Sequence, residues 1–348
     1  MGLYSSRTYL ADLDRTIDAN RDVLGELAGS SILITGASGL VCSPIADLIF
    51  RSNERLGMDI RLFLAGRNED RMRKRFSEQE YTFVPYDATK KNEFPFHVDY
   101  IIHGASNSGP KDIGAHGIET MLDNFNGMYE LLEYASREGV NNTLYISSSE
   151  VYGRKSAIEP FVEEEYGWVD ILSPRSSYAS SKRAAETLCA CFSDEKGIKT
   201  TVVRPGHIYG PTARRNDSHV SAAFSFNAAD GKDLILKSTG SQIRSWCYCL
   251  DSTSAILTTL VKGENRNAYN ISNPASVASI KDMAELLAKG AGVKVVVDAP
   301  SAEEKKAFNP MENSSLNGEK LMGLGWRGLF GAKIGFGHTV KIIREGNL

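Results

Sequence analysis

From Ser31 onward, short apolar runs alternate with longer stretches in which apolar residues recur every three or four positions. The runs SILITG, DIRLFLAG, YTFVPYDA, DYIIHGAS, NTLYISSS and KTTVVRPG have the length and composition of strands. Between most of them lie segments such as GIETMLDNFNGMYELLEYASREG, whose spacing predicts amphipathic helix. Strands alternating with helices predict βαβ units, right-handed crossovers and a doubly wound, parallel α/β sheet. Ahead of the first strand, LADLDRTIDANRDVLGELAG predicts a helical arm. After Pro211 the rhythm loosens. HVSAAFSFNAADGKDLILKSTGSQIRSWCYCLD predicts a helix followed by strands, SIKDMAELLAKGAG an amphipathic helix, and NPMENSSLNGEKLMGLGW loop, short helix and turn. The expected division is an arm over 1–28, the parallel-sheet domain over 29–210 and a smaller α+β lobe over 211–348.

Composition narrows the classes. The chain has 348 residues, 42% hydrophobic and 24% charged, which is ordinary for a globular protein of one large or two modest domains. A net charge of −3 provides no basic field for nucleic acid or an anionic membrane. The basic cluster RMRKRF falls in an amphipathic helical stretch and reads as a solvated face. No apolar run approaches the roughly 20 residues of a membrane span, and the N-terminus lacks a signal-peptide pattern. The odd count of 5 cysteines argues against a disulfide framework. Cys189 and Cys191 fall on a helix, and Cys247 and Cys249 in a strand-like run; packing is expected of them, and no metal. A reducing cytoplasm fits this usage.

The strand SILI runs into TGASGLVCSPIADLIF, with Gly36 and Gly39 in the turn and a helix following. Glycines there allow a tight turn and close backbone approach to a pyrophosphate, which the helix N-terminus attracts. Cys42 stands where a third glycine is expected. At the end of the second strand, LFLAGRNED offers Arg67 where an acid would bind a ribose hydroxyl; an arginine can face a 2′-phosphate instead, so NAD and NADP both stay open. Asp87 ends the third strand, either against an adenine or as a cap of the next helix. YISSSEVYG ends the fifth strand with Ser147, Ser148, Ser149 and Glu150, at the strand ends where ligands of such sheets bind. In SSYASSKRAAE, Tyr178 and Lys182 stand one helical turn apart. An ammonium beside the phenol is expected to lower its pKa, so that Tyr178 accepts a proton from a substrate hydroxyl while nicotinamide accepts the hydride. Ser148 is placed to hydrogen-bond the same oxygen.

With TGASGLVC, YISSSEVYG, YASSK, RPGHIYGP, GSQIRSWCYCLD and LMGLGW in place, the chain resembles the extended short-chain dehydrogenase/reductases that modify nucleotide sugars. The resemblance runs from Ser31 to about Arg344. It implies a Rossmann domain, a tightly held nicotinamide cofactor, a C-terminal lobe gripping the nucleotide sugar, and a homodimer built through the helix of Tyr178 and the long helix before it. It extends the cofactor-binding set from Gly36, Gly39, Arg67, Asp87, Tyr178 and Lys182 to Ser38, Leu40, Val41, Ala88, Gly104, Ala105, Ser106 and Pro205.

SSSEVYG followed by LSPRSSYASSKRAAE is most similar to UDP-glucuronate decarboxylases. Dehydratases of this family carry Asp-Glu where this chain has Ser149 and Glu150, which disfavours water loss. GSQIRS matches the stretch in which the decarboxylases place an arginine against the sugar carboxylate, here Arg244; a phosphate contact is the rival reading. Ser149, Glu150, Tyr178 and Arg244 form the implied substrate set. VDILSPR is not the decarboxylase form of its loop, and ASNSGPKDIGAHGIET is peculiar to this chain. The expected function is a reaction through a 4-keto sugar, as decarboxylase or as 4-epimerase. A rival of another class is a non-catalytic nicotinamide or metabolite sensor.

Overall fold

The computed structural model describes residues 2–106, 116–298 and 311–348, so most of the loop ASNSGPKDIGAHGIET lies outside the described residues. All six strands of the sequence pattern form. They are β1 (Ser31–Thr35), β2 (Arg61–Gly66), β3 (Thr82–Pro85), β4 (Tyr100–His103), β5 (Asn142–Ile146) and β6 (Thr200–Pro205). Strand β1 is buried at every position, as a strand covered by helices on both faces must be.

A seventh strand joins from beyond residue 210. After β7 (His207–Tyr209), β8 (Leu234–Leu236) and β9 (Ile243–Tyr248), β10 (Asn267–Ile271) returns to pair with β6 in parallel. The order β3-β2-β1-β4-β5-β6-β10 is parallel throughout and reverses between β1 and β4. That reversal opens a crevice at the carboxyl ends of the strands.

The N-terminal segment folds as α1 (Arg7–Ala19) and α2 (Arg21–Glu26). Tyr9, Leu13 and Ile17 of α1 are fully buried, packed with α3 (Ser43–Leu56) on one face of the sheet. The cluster RMRKRF forms α4 (Glu69–Arg75), but it is not wholly a solvated face. Arg75 turns inward to the fully buried Asp47, which also accepts the hydroxyls of Tyr4 and Tyr9. A buried carboxylate needs a counter-charge, and Arg75 supplies it.

The other face of the sheet is covered by α5 (Gly117–Glu138) and α6 (Ser177–Lys196), through Met128, Leu131, Leu132, Ala185 and Cys189. Among the described residues the remaining α-helices are α7 (Val220–Ala229), α8 (Cys249–Lys262), α9 (Ile280–Ala291), α10 (Glu319–Gly323) and α11 (Ala332–Gly346). Strand β9 is the middle of a separate three-stranded sheet, parallel to β7 and antiparallel to β11 (Val277–Ser279), while β12 (Val295–Val297) pairs with β8. Cys249 is not part of the strand run: it opens α8, and both it and Cys247 are buried thiols. Among the described residues no helix is long and apolar enough to cross a membrane.

Candidate active site

The turn after β1 is shaped by what a side chain would meet there. Gly36 has φ +68°, and a Cβ on it would lie 2.8 Å from the carbonyl oxygen of Gly104. The turns after β1 and β4 therefore touch backbone to backbone. Thr35 stitches them, its hydroxyl accepting the N–H groups of Gly104 and Ala105, each at 3.2 Å. Gly39 N–H closes the turn onto Gly36 O at 2.9 Å, and Ser43 N–H follows onto Gly39 O at 2.9 Å as α3 begins. Cys42 at the third glycine position packs its sulfur where a Cβ on Gly104 would have to sit. The close contact survives because the missing side chain is on the β4 turn rather than on the helix.

Ser38, Gly39, Leu40 and Val41 complete this turn, and Leu40 O accepts the Thr212 hydroxyl at 3.0 Å, tying it to the chain after β7. Gly104, Ala105 and Ser106 follow β4, and Pro205 ends β6. The hydroxyls of Ser106 and Ser147 are buried without a protein partner among the described residues. Arg67 is exposed just past β2. Asp87 caps a turn, not a helix: its carboxylate accepts the N–H and hydroxyl of Thr89 at 3.1 and 2.8 Å, with Ala88 in that turn. A cradle closed to side chains, bordered by unpartnered hydroxyls at the strand ends, fits a dinucleotide.

Across the crevice, Ser148 caps a short 3₁₀ turn (Ser149–Tyr152) by accepting Glu150 N–H at 3.2 Å. Tyr178 sits in the first turn of α6, buried, with its phenol within reach of the Ser148 hydroxyl. Burial pushes the phenol up to about 12; the Ser148 hydroxyl pulls it down and the charge of Glu150 pushes it further up. Lys182 is 2% exposed and donates to Ile146 O at 2.9 Å. Its Nζ is 4.7 Å from the ring centre of Tyr145 and 5.7 Å from that of Tyr178. Burial drives the ammonium down to about 7, against the charge of Glu186. The expected lowering of the Tyr178 pKa by Lys182 is thus not found: desolvation is the leading influence on both groups.

The helix carrying this pair is anchored by residues the sequence pattern does not single out. Glu186, one turn beyond Lys182, pairs at 2.7 Å with Arg204, which is 2% exposed. Arg204 also donates to Tyr152 Oη at 3.1 Å and Glu163 O at 2.8 Å. Arg183 reaches Val151 O at 2.6 Å and Gly167 O at 3.0 Å, fixing α6 to the Ser149–Tyr152 turn. The spacing Tyr178, Lys182, Glu186 was open to sequence reading; the partner of Glu186 was not.

Arg244 arrives from outside the seven-stranded sheet, on β9. It is 3% exposed, and its Nη1 donates to Ile243 O at 2.8 Å and Met311 O at 3.2 Å. Burial lowers its pKa and the charge of Glu150 opposes that, so the two share one field. Glu150 is also 3.9 Å from Arg175. His207, quoted in RPGHIYGP but not singled out, lies opposite Trp246 with ring centres 5.2 Å apart. Burial, then the charges of Arg244 and His219, press its pKa down to about 3. The structure therefore gathers Ser148, Ser149, Glu150, Tyr178 and Lys182 at one strand end and brings Arg244 into the field of Glu150.

The sequence profile described as "NAD dependent epimerase/dehydratase family" matches residues 32–272. This chain belongs to that family. It is an NAD-dependent enzyme of epimerase/dehydratase type, with a Rossmann-type fold. UDP-glucuronic acid decarboxylase 1 of Xenopus tropicalis is 27% identical over 324 residues, covering 92% of this chain and 74% of the relative. An epimerase from Methanothermobacter thermautotrophicus superposes with a TM-score of 0.81 at 20% identity, covering 94% of this chain and 96% of that one. UDP-glucuronic acid 4-epimerase from Bacillus cereus, solved with UDP-glucuronic acid and NAD, superposes with a TM-score of 0.73 at 18% identity, covering 90% of this chain and 99% of that one. At these identities the structural likeness is one of fold.

Proposed function

We propose that the chain modifies a nucleotide sugar through a 4-keto intermediate, and that it acts on UDP-glucuronate as a decarboxylase. The observation that carries this reading is Arg244: a buried guanidinium in the field of Glu150. Its Nη1 is used on two carbonyls, and among the described residues its Nε and Nη2 have no hydrogen-bond partner and remain for a ligand. A planar fork of this kind matches a carboxylate. The relative named for UDP-glucuronic acid decarboxylation supports the same substrate.

The Gly36–Val41 turn, the Gly104–Ser106 turn and Lys182 would hold a nicotinamide dinucleotide, which would supply an acceptor and donor of hydride for C4. Tyr178, oriented by Ser148, takes the proton of the C4 hydroxyl. The C6 carboxylate then lies β to a ketone, and carbon dioxide leaves. Arg244 holds that carboxylate until the C5–C6 bond breaks. Ser149 and Glu150 orient the sugar, and Glu150 is the group able to bring a proton to C5.

The test is to supply UDP-glucuronate and UDP-glucose separately and to follow carbon dioxide release and C4 inversion. Carbon dioxide from the acid supports the decarboxylase. Inversion of either sugar without carbon dioxide replaces it with a 4-epimerase. Binding without turnover of any nucleotide sugar would reduce the chain to a sensor.

We also propose a homodimer. Ile118, Met121, Leu122, Phe125 and Tyr129 are exposed along one face of α5, while Thr120, Asn124, Met128 and Leu131 face inward. A stripe on a long helix can meet its own copy across a two-fold axis, and this one adjoins α6.

A further inference from the structure

Lys182 and Glu186 stand one turn apart on α6, and each is gripped by a different strand of the sheet. Lys182 donates to Ile146 O on β5 at 2.9 Å. Ile146 pairs with Val203 on β6, and the next residue of β6 is Arg204, which holds Glu186 at 2.7 Å. All three charged side chains are withdrawn from water. Lys182 and Arg204 are each 2% exposed, and the Glu186 side chain is 13% exposed.

Glu186 serves more cations than the one it pairs with. Its charge also acts on Lys182 and on Arg183. Arg183 is engaged with the carbonyls of Val151 and Gly167. The other titratable groups facing Lys182 are Tyr178 on the same helix, Tyr145 on β5, His103 on β4 and Cys42 at the head of α3. Burial pushes the two phenols and the thiol up and the imidazole down, so these four are neutral near pH 7. Among the described residues, Glu186 is the carboxylate whose charge acts on Lys182.

A buried ammonium sheds its proton unless an anion stands near it. An arginine does not shed its proton, so competition for one carboxylate falls on the lysine. We propose that Glu186 is a positioning residue for the active site, sharing its carboxylate between Arg204 and Lys182 so that the ammonium stays seated and charged beside Tyr178. Arg204 sets the share, because a carboxylate tied to a guanidinium is a weaker counter-charge for the lysine. The inference rests on the proposed place of Lys182 at the cofactor and not on which sugar is turned over.

The test follows the ammonium itself, by NMR titration of protein carrying ¹³C-labelled lysine. The Lys182 signal is identified by its loss in Lys182→Met. In the unmodified chain it should titrate near pH 7. Glu186→Gln keeps an acceptor for Arg204 and removes the charge, so the midpoint should fall by about one pH unit, the low end for a lost opposite charge. Glu186→Asp should restore part of that shift. Arg204→Met releases Glu186 to Lys182 and should move the midpoint up. A residue that only anchored α6 would loosen the helix in every variant without moving the midpoint in opposite directions. Should Arg204→Met fail to fold, the double variant Glu186→Gln, Arg204→Met removes the pair together. Its midpoint should lie above that of Glu186→Gln alone, because the repulsion of Arg204 is gone. This titration needs no sugar, so its outcome stands whichever reaction the enzyme performs. In turnover, Glu186→Gln should come closest to the unmodified enzyme at the acid end of the pH profile, where both lysines are charged. An unchanged midpoint in Glu186→Gln overturns the proposal, as does a downward shift in Arg204→Met or a turnover deficit that is the same at every pH.

Discussion

Lys182 Nζ donates to the carbonyl oxygen of Ile146 at 2.9 Å, so the ammonium is fastened to the end of β5 rather than to the phenol of Tyr178. The two side chains share a helix face, but the tyrosine hydroxyl turns to Ser148. Both groups are desolvated. The lysine is pushed toward its neutral form and the tyrosine away from its phenolate. Proton transfer at Tyr178 therefore depends on Ser148 and on a bound ligand that brings further polar groups into the crevice.

Tyr178→Phe removes the phenol oxygen and keeps the ring that packs in the first turn of α6. Turnover should fall by about 10²–10⁴-fold, the usual loss for an acid/base group, with cofactor affinity retained. Turnover within a few-fold of the unmodified enzyme at matched cofactor occupancy would remove Tyr178 from the mechanism.

Lys182 links stability to pH. Its folded pKa is about 7, below the ordinary value of 10.5 for a free lysine. The folded state therefore binds fewer protons than the unfolded state between those limits, and stability gains from rising pH across that window. The cost of burying the charge is complete below pH 7 and fades toward 10.5. Lys182→Met should be most stabilised relative to the unmodified protein at pH 6, with the difference shrinking through pH 7 to 10. Urea unfolding at several pH values measures this; a difference that ignores pH contradicts the buried charge.

Gly104 and Cys42 make a reciprocal pair. Gly104→Ala forces a methyl against the Cys42 sulfur. A loss of about 1–3 kcal/mol is expected, as for overpacking elsewhere. Cys42→Gly in the same background should recover part of it. Additive losses in the double variant, read from denaturant midpoints, would show that the two positions do not share the contact.

Arg244→Lys separates a carboxylate partner from a phosphate one. An ammonium keeps the charge but cannot reproduce the fork. If Arg244 holds the sugar carboxylate, carbon dioxide release from UDP-glucuronate should fall by roughly tenfold or more, consistent with one lost charge-assisted bond. A variant as active as the original would assign Arg244 to phosphate or to structure.

Leu122→Glu places a charge in the exposed stripe of α5, where Leu122 is 53% exposed. Sedimentation at micromolar concentration should then show a monomer where the unmodified chain shows a dimer. A monomer in both cases would reject pairing through this face.

The alternation of strand and helix, the glycine turn and the Tyr178–Lys182 spacing were all legible in the sequence, because each is a local signal. Strand burial shows as an apolar run, helix packing as a period of 3.6, and a tight turn as glycine. Contacts between distant positions were decided only in three dimensions. Asn267–Ile271 is short and carries two asparagines; it is a strand because β6 leaves an open edge for it. Arg75 looked like one more surface cation of RMRKRF until α3 placed Asp47 beside it. Cys42 stood as a departure from a glycine pattern until Gly104, from another βαβ unit, made room for its sulfur. The protonation of Lys182 and Tyr178 followed from burial rather than from their spacing. Residue order determines which groups share an element; desolvation and pairing, which set their chemistry, depend on what the rest of the chain packs around them.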